Sequence, residues 1–127
     1  MDYDGYKHSD LTDKIIRAFY HVYNELGYGF LEKVYERALI IELGKMNLSI
    51  QSQVGINVYY EGQEVGLYYA DILVEGVVIL ELKAGQGFIE EHEAQLINYL
   101  KATDIEIGLL LNFGVKPVVK RKIFSNN

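Results

Sequence analysis

Glu81 and Lys83 flank a single leucine in Glu81-Leu82-Lys83, directly after the unbroken aliphatic run Val77-Val78-Ile79-Leu80. Side chains two apart on a strand share a face, so the acid and the lysine project together while Leu82 points the other way. Earlier in the chain Asp71 interrupts a second β-rich run, Tyr68 to Val74. Glu75-Gly76 reads as a tight turn, which folds the two runs into an antiparallel hairpin and brings Asp71 level with residue 80 or 81. Two carboxylates and a lysine then meet at the strand ends. Such a carboxylate pair can hold Mg²⁺ or Mn²⁺, leaving the remaining coordination sites for water and a substrate phosphate. The ion would activate water and neutralise charge on a transferring phosphoryl group, and Lys83 would orient the water or stabilise the oxyanions. A Glu-x-Lys triplet alone is common, and its plain alternative is a surface ion pair beyond the buried part of the strand. Asp71 at hairpin distance is what favours a site.

Two helical segments bring further polar groups. Glu32 lies in line with Tyr35, Leu39 and Leu43 at helical spacing, on an apolar face where a carboxylate is costly unless paired or bound to a cation. The competing reading makes Glu32 a first-turn acid favoured by the helix dipole, and the residues alone balance the two. His92, Gln95 and Tyr99 follow i, i+3, i+7 spacing and form one polar stripe, opposed by a reading of ordinary helix–sheet packing.

The elements that must position these groups are read from periodicity. Leu11, Ile15, Phe19, Val22 and Leu26 predict a helix from Ser9, ended by Gly27-Tyr28-Gly29. A second helix is predicted from about Phe30 to Met46, with Gly44 and Asn47 as stop signals. From Ile50 the period changes to alternation, giving a strand to Tyr60, a turn at Glu61-Gly62-Gln63-Glu64 and a strand from Val65 to Val74. Val77–Leu80 has the composition of a central strand covered on both faces. Gly85-Gln86-Gly87 ends it, a third helix runs from about Ile89 to Thr103, and strands follow at Ile105–Phe113 and Val115–Phe124. The order α-α-β-β-β-α-β-β predicts an α/β fold, a mixed sheet with helices packed on it. Residues 1–8 are expected to be a flexible arm and 9–127 one domain.

Composition narrows the chemistry. The chain has 127 residues, no cysteine and a formal net charge of −6. Thiolate zinc sites, disulfides and a cysteine nucleophile are excluded, and the acidic balance argues against sequence-independent nucleic-acid binding over the whole surface. The basic cluster Lys116, Lys120, Arg121 and Lys122 reads as a solvated tail. No signal peptide or membrane-spanning run is evident, so a cytoplasmic protein is expected. Gly85-x-Gly87 lacks the third glycine and the lysine of a phosphate loop, and His8, His21 and His92 lack zinc-like spacing. The adjacent tyrosine pairs Tyr59-Tyr60 and Tyr68-Tyr69 cannot all face a core, which favours a homodimer contact over a base-stacking platform.

These motifs together resemble a known family. Gly29-Phe30-Leu31-Glu32-Lys33-Val34-Tyr35 is similar to the signature of the GxxExxY proteins. Tyr69-Ala70-Asp71-Ile72-Leu73-Val74-Glu75 and Val78-Ile79-Leu80-Glu81-Leu82-Lys83-Ala84 resemble the family's D…ExK hairpin. His92 to Leu100 resembles its Q-x-x-x-Y-L helix, and Gly108 to Gly114 its terminal strand and turn. The resemblance implies the PD-(D/E)XK nuclease-like superfamily, a restriction-endonuclease-like fold, and a Mg²⁺-dependent phosphodiesterase acting on nucleic acid. It further implies Asp71 and Glu81 as metal ligands, Lys83 as the catalytic lysine, Glu32 as the helix acid and Gln95 as a polar group lining the site. Tyr23 and Tyr28 depart from the family, which often has His and Pro there. Two functions follow: a metal-dependent nuclease, favoured by the intact acid and lysine set, and a catalytically silent nuclease-fold module that binds a protein partner, favoured by small size and acidic charge.

Overall fold

The computed structural model describes residues 8–86 and 90–125; all of the expected arm 1–8 except His8, together with Gly87 and the expected helix start at Ile89, lies outside them. Among the described residues three helices and five strands follow the predicted order: α1 (Ser9–Leu26), α2 (Glu32–Lys45), β1 (Ile50–Tyr60), β2 (Gln63–Val74), β3 (Val78–Lys83), α3 (Glu90–Lys101), β4 (Ile107–Phe113) and β5 (Pro117–Ile123). The strands form one mixed sheet in the order β1-β2-β3-β4-β5, and only β3 and β4 run parallel. A parallel pair needs a crossover, and α3 supplies it.

The turns of the β1–β2 and β2–β3 hairpins are each made by a Glu-Gly pair with φ above zero, Glu61-Gly62 and Glu75-Gly76. Primed turns of that kind match the twist of the strands they join. The first turn is tighter than expected, because Tyr60 already pairs with Gln63. Asn47, at φ +62°, carries the stop of α2, while Gly44 stays inside the helix.

The core is split by the sheet. On one face Ile15, Phe19 and Val22 of α1 and Tyr35, Leu39 and Leu43 of α2 pack on Ile72, Val78, Leu80, Leu82, Leu109 and Leu111. On the other face Leu96, Tyr99 and Leu100 of α3 pack on Ile56, Ala70, Leu73, Ile79 and Leu110. Every residue of β3 from Val78 to Leu82 is buried, so the central strand is covered on both sides as its composition implied. The basic cluster is not a tail. Lys120, Arg121 and Lys122 belong to β5, where Lys122 pairs with Glu93 of α3 at 2.6 Å and Arg121 donates to Thr12 of α1 at 2.9 Å. Strand alternation sends the two side chains to opposite layers. No described helix is long and apolar enough to cross a membrane.

Candidate active site

The site forms where the sheet departs from regular alternation. Ala70 packs toward α3 while Ile72 packs toward α1 and α2, although residues two apart normally share a face. The alternation therefore slips at Asp71. Gln53, with φ +53°, is the residue opposite Asp71 in the β1–β2 register, and β1 slips at the same place: Ile50 packs toward α2, Val54 toward α3. Because both strands slip together, the pairing on either side keeps one register.

The β2–β3 ladder pairs Ile72 with Leu80 and goes no further toward Asp71. Beyond it the carboxylates take over the backbone hydrogen bonds. The N–H of Asp71 donates to Glu81 Oε2 at 3.0 Å, and the N–H of Leu82 donates to Asp71 Oδ2 at 2.8 Å. The hairpin arithmetic thus brings Asp71 and Glu81 together. Glu81 is only 5% exposed, which removes the reading of Glu81 as half of a surface ion pair.

Burial and crowding raise both acids. Loss of solvent is the largest influence on Glu81 and the Asp71 charge the next, pushing its pKa up to about 8; the Lys83 ammonium pulls it back down. Burial is also the main cause for Asp71; the Leu82 N–H opposes it, and Glu36 and Glu32 add to the rise. A cation placed between these carboxylates would relieve the strain that burial and repulsion create.

Glu32 is not on the buried stripe. It is exposed in the first turn of α2, whose N-cap residue Leu31 supplies no side-chain cap. Side chains in a first turn lean toward the helix N-terminus, beyond the packed layer, so burial starts at Tyr35. Its charge still reaches Asp71 and Glu81. The buried acid of α2 is Glu36, 6% exposed, one turn further along. Gln53 Nε2 donates to Glu36 at 3.2 Å and lies 3.5 Å from Asp71, and Lys33 pairs with Glu36 at 3.1 Å. Glu36 was missed in the sequence, although its spacing ahead of Leu39 and Leu43 places it on the same stripe.

From the other layer comes α3. Tyr99 is buried, accepts a hydrogen bond from Gln95, and has its pKa raised to about 12 by burial first and then by the charges of Glu81 and Asp71. The charges of the acids act on Tyr99, Gln95 is half-buried one turn before it, and His92 lies half-buried nearer the start of the helix.

The segment after Lys83 is held by β4. Asn112, buried and level with Lys83 in the parallel register, accepts from the Gly85 N–H and donates to the Gly85 carbonyl, both at 3.2 Å. A Cβ on Gly114 would stand within 2.3 Å of that same carbonyl, so only glycine fits there. Tyr23, one of the departures from the family pattern, holds the other side: its hydroxyl lies 2.8 and 2.7 Å from the carbonyls of Gly114 and Val115. Tyr35 anchors the loop before α2, donating to the Gly27 carbonyl at 2.6 Å and accepting from the Phe30 N–H at 3.2 Å while stacking on Phe113.

Among the described residues no three acidic or histidine side chains converge as a ready ligand set; the acids at the strand ends are a pair. Comparison with known proteins adds the following. A solved structure titled "Crystal structure of SSO0001" superposes with a TM-score of 0.54 at 17% identity, over 75% of this chain and 50% of that one. That likeness shows the fold, whose order of helices and strands is restriction-endonuclease-like, and this chain spans about half the length of that protein. No curated protein matches the chain. A sequence model of the PD-(D/E)XK nuclease superfamily matches residues 9–123, from the first residue of α1 to the last of β5, and the chain belongs to that superfamily.

Proposed function

We propose that the chain hydrolyses phosphodiester bonds in nucleic acid with the help of Mg²⁺ or Mn²⁺. The observation that carries this reading is the mutual approach of half-buried Asp71 on β2 and buried Glu81 near the end of the central strand, two carboxylates with raised pKa values. Their oxygens are the hard donors that Mg²⁺ and Mn²⁺ take. Asp71 and Glu81 would hold the ion, which when bound supplies charge neutralisation at the phosphate and an acidified water. Lys83, two residues past Glu81 on the same face, supplies a positive charge for the oxyanions that develop on phosphorus. Glu32 and Glu36 add negative charge from α2, and Gln95 fixes the Tyr99 hydroxyl beside the acids from α3. The nuclease superfamily supports nucleic acid as the substrate class.

The second reading is a silent module that binds a protein partner, favoured by the net charge of −6. A cleavage screen on single- and double-stranded DNA and RNA with Mg²⁺ or Mn²⁺ separates the two. Cleavage lost in Asp71→Asn supports the nuclease. Absence of cleavage together with absence of any metal-induced thermal shift ends that reading.

A further inference from the structure

Between the β1–β2 hairpin and α3 lies a groove of about 690 Å³, within the size range of small-ligand sites. Asn57 and Tyr59 of β1, Tyr68 of β2, and Gln95, Asn98 and Tyr99 of α3 line it. We propose that this groove receives one unpaired base of the nucleic-acid strand whose phosphate lies at Asp71 and Glu81. The inference rests on the nuclease reading and names the form of substrate that reading would take.

Three observations converge on a base. First, one wall of the groove lies toward the acids: Tyr99 packs in one cluster with Ala70, next in chain to Asp71, and with Ile79, which shares a strand face with Glu81, and the charges of both acids act on it. Second, its walls are aromatic rings and amides. Tyr68 and Tyr99 stand 5.9 Å apart at 46°, and Tyr59 is 63% exposed. Stacking on aromatics accepts any base, because every base has a π-face. The side-chain amides of Gln95 and Asn98 carry both donors and acceptors, the complement of base edges. Third, the charged groups on its walls, Glu91 and Lys101, cancel. A neutral groove suits a base, whereas phosphates call for a cationic one. Base-paired nucleotides keep both base faces stacked and their pairing edges occupied, so the occupant is a nucleotide from a single-stranded or unpaired stretch.

The test measures binding of a short labelled oligonucleotide by fluorescence anisotropy with Mn²⁺, in a Lys83→Ala background that keeps the strand intact. Tyr59→Ala and Tyr68→Ala should each weaken single-strand binding by roughly 5- to 150-fold, the loss of one stacking contact. Tyr59→Phe should restore it, since the ring and not the hydroxyl stacks. Asn98→Ala, at an exposed position, should reduce preference among bases more than overall affinity. Melting temperatures of the variants report whether each remains folded, and Tyr59→Ala carries the test should Tyr68→Ala unfold. Binding and cleavage of single strands unchanged in Tyr59→Ala, with cleavage by the otherwise unaltered chain still dependent on Asp71, overturns the groove and leaves the nuclease reading standing. A chain that neither binds nor cleaves any nucleic acid overturns both. A Tyr59→Ala substitution that turns a dimer into a monomer assigns this face to a second copy of the chain and overturns the proposal as well.

Discussion

Asp71 and Glu81 each accept a backbone N–H from the other's strand: Glu81 Oε2 takes the Asp71 N–H at 3.0 Å, and Asp71 Oδ2 takes the Leu82 N–H at 2.8 Å. The ladder that would have used those N–H groups stops at the Ile72–Leu80 pair. Two acids, one buried and one half-buried, can thus be close without leaving backbone donors unpaired, which would otherwise cost about 1–3 kcal/mol for each orphaned group.

Stability of the metal-free protein should fall as pH rises from about 4.5 to about 8. An unfolded Glu81 loses its proton near 4.5, whereas the folded one keeps it until about 8. In that window the folded state binds more protons, so stability is present in full below 4.5 and is lost as pH climbs through the folded pKa. The raised Asp71 acts in the same direction. The decline is on the order of a few kcal/mol at most, and Glu81→Gln should flatten it. Thermal denaturation of both proteins across this pH range is the check.

Metal should bind with release of protons near neutral pH, because Glu81 must ionise to become a ligand. Calorimetry in buffers of different ionisation enthalpy measures the number released. At a hundredfold excess over its dissociation constant the ion should add about 2.7 kcal/mol of stability, a shift of several degrees in a domain this size. Asp71→Asn should raise the metal-free melting temperature slightly and abolish the shift. Lys83→Ala should remove cleavage yet keep much of the shift; losing the shift entirely would make Lys83 part of the metal site's architecture.

Glu36 and Glu32 should behave differently although both sit on α2. Removing the Glu36 carboxylate leaves Gln53 and Lys33 without their bonds to it and should cost about 1–3 kcal/mol. Glu32→Ala should cost about 0.3–1 kcal/mol, the worth of an acid in a first helical turn. Equal losses in urea unfolding would contradict the burial difference between them.

Gly114→Ala should destabilise by about 1–3 kcal/mol, since the new methyl group meets the Gly85 carbonyl. Asn112→Ala frees the Gly85 N–H and carbonyl that the amide now pairs, with a comparable loss. Both changes disturb the segment following Lys83, so metal-dependent cleavage should fall more than stability alone explains. A variant that loses stability but keeps full cleavage at low temperature would limit Asn112 to a structural role.

The local chemistry of the chain by itself determined the element order, the two Glu-Gly turns and the meeting of Asp71 with Glu81. Hydrophobic period, turn residues and hairpin length act within a few residues of one another, and each is written directly in the chain. The acid of α2 was a different matter. Periodicity was read as placing Glu32 on the apolar stripe and Glu36 was passed over, because which acid is buried depends on where α2 begins and how far its first turn overhangs the sheet. Packing of Tyr35 against Phe113, distant in the chain, settles that. The same holds for the slip at Gln53 and Asp71, which alternation alone would not place, because it exists only where two strands distort together. The last strand was legible in the sequence, but the partners of its basic residues were not: Arg121 and Lys122 read as solvated until α1, α3 and β4 assemble around β5 and bring Thr12 and Glu93 to them.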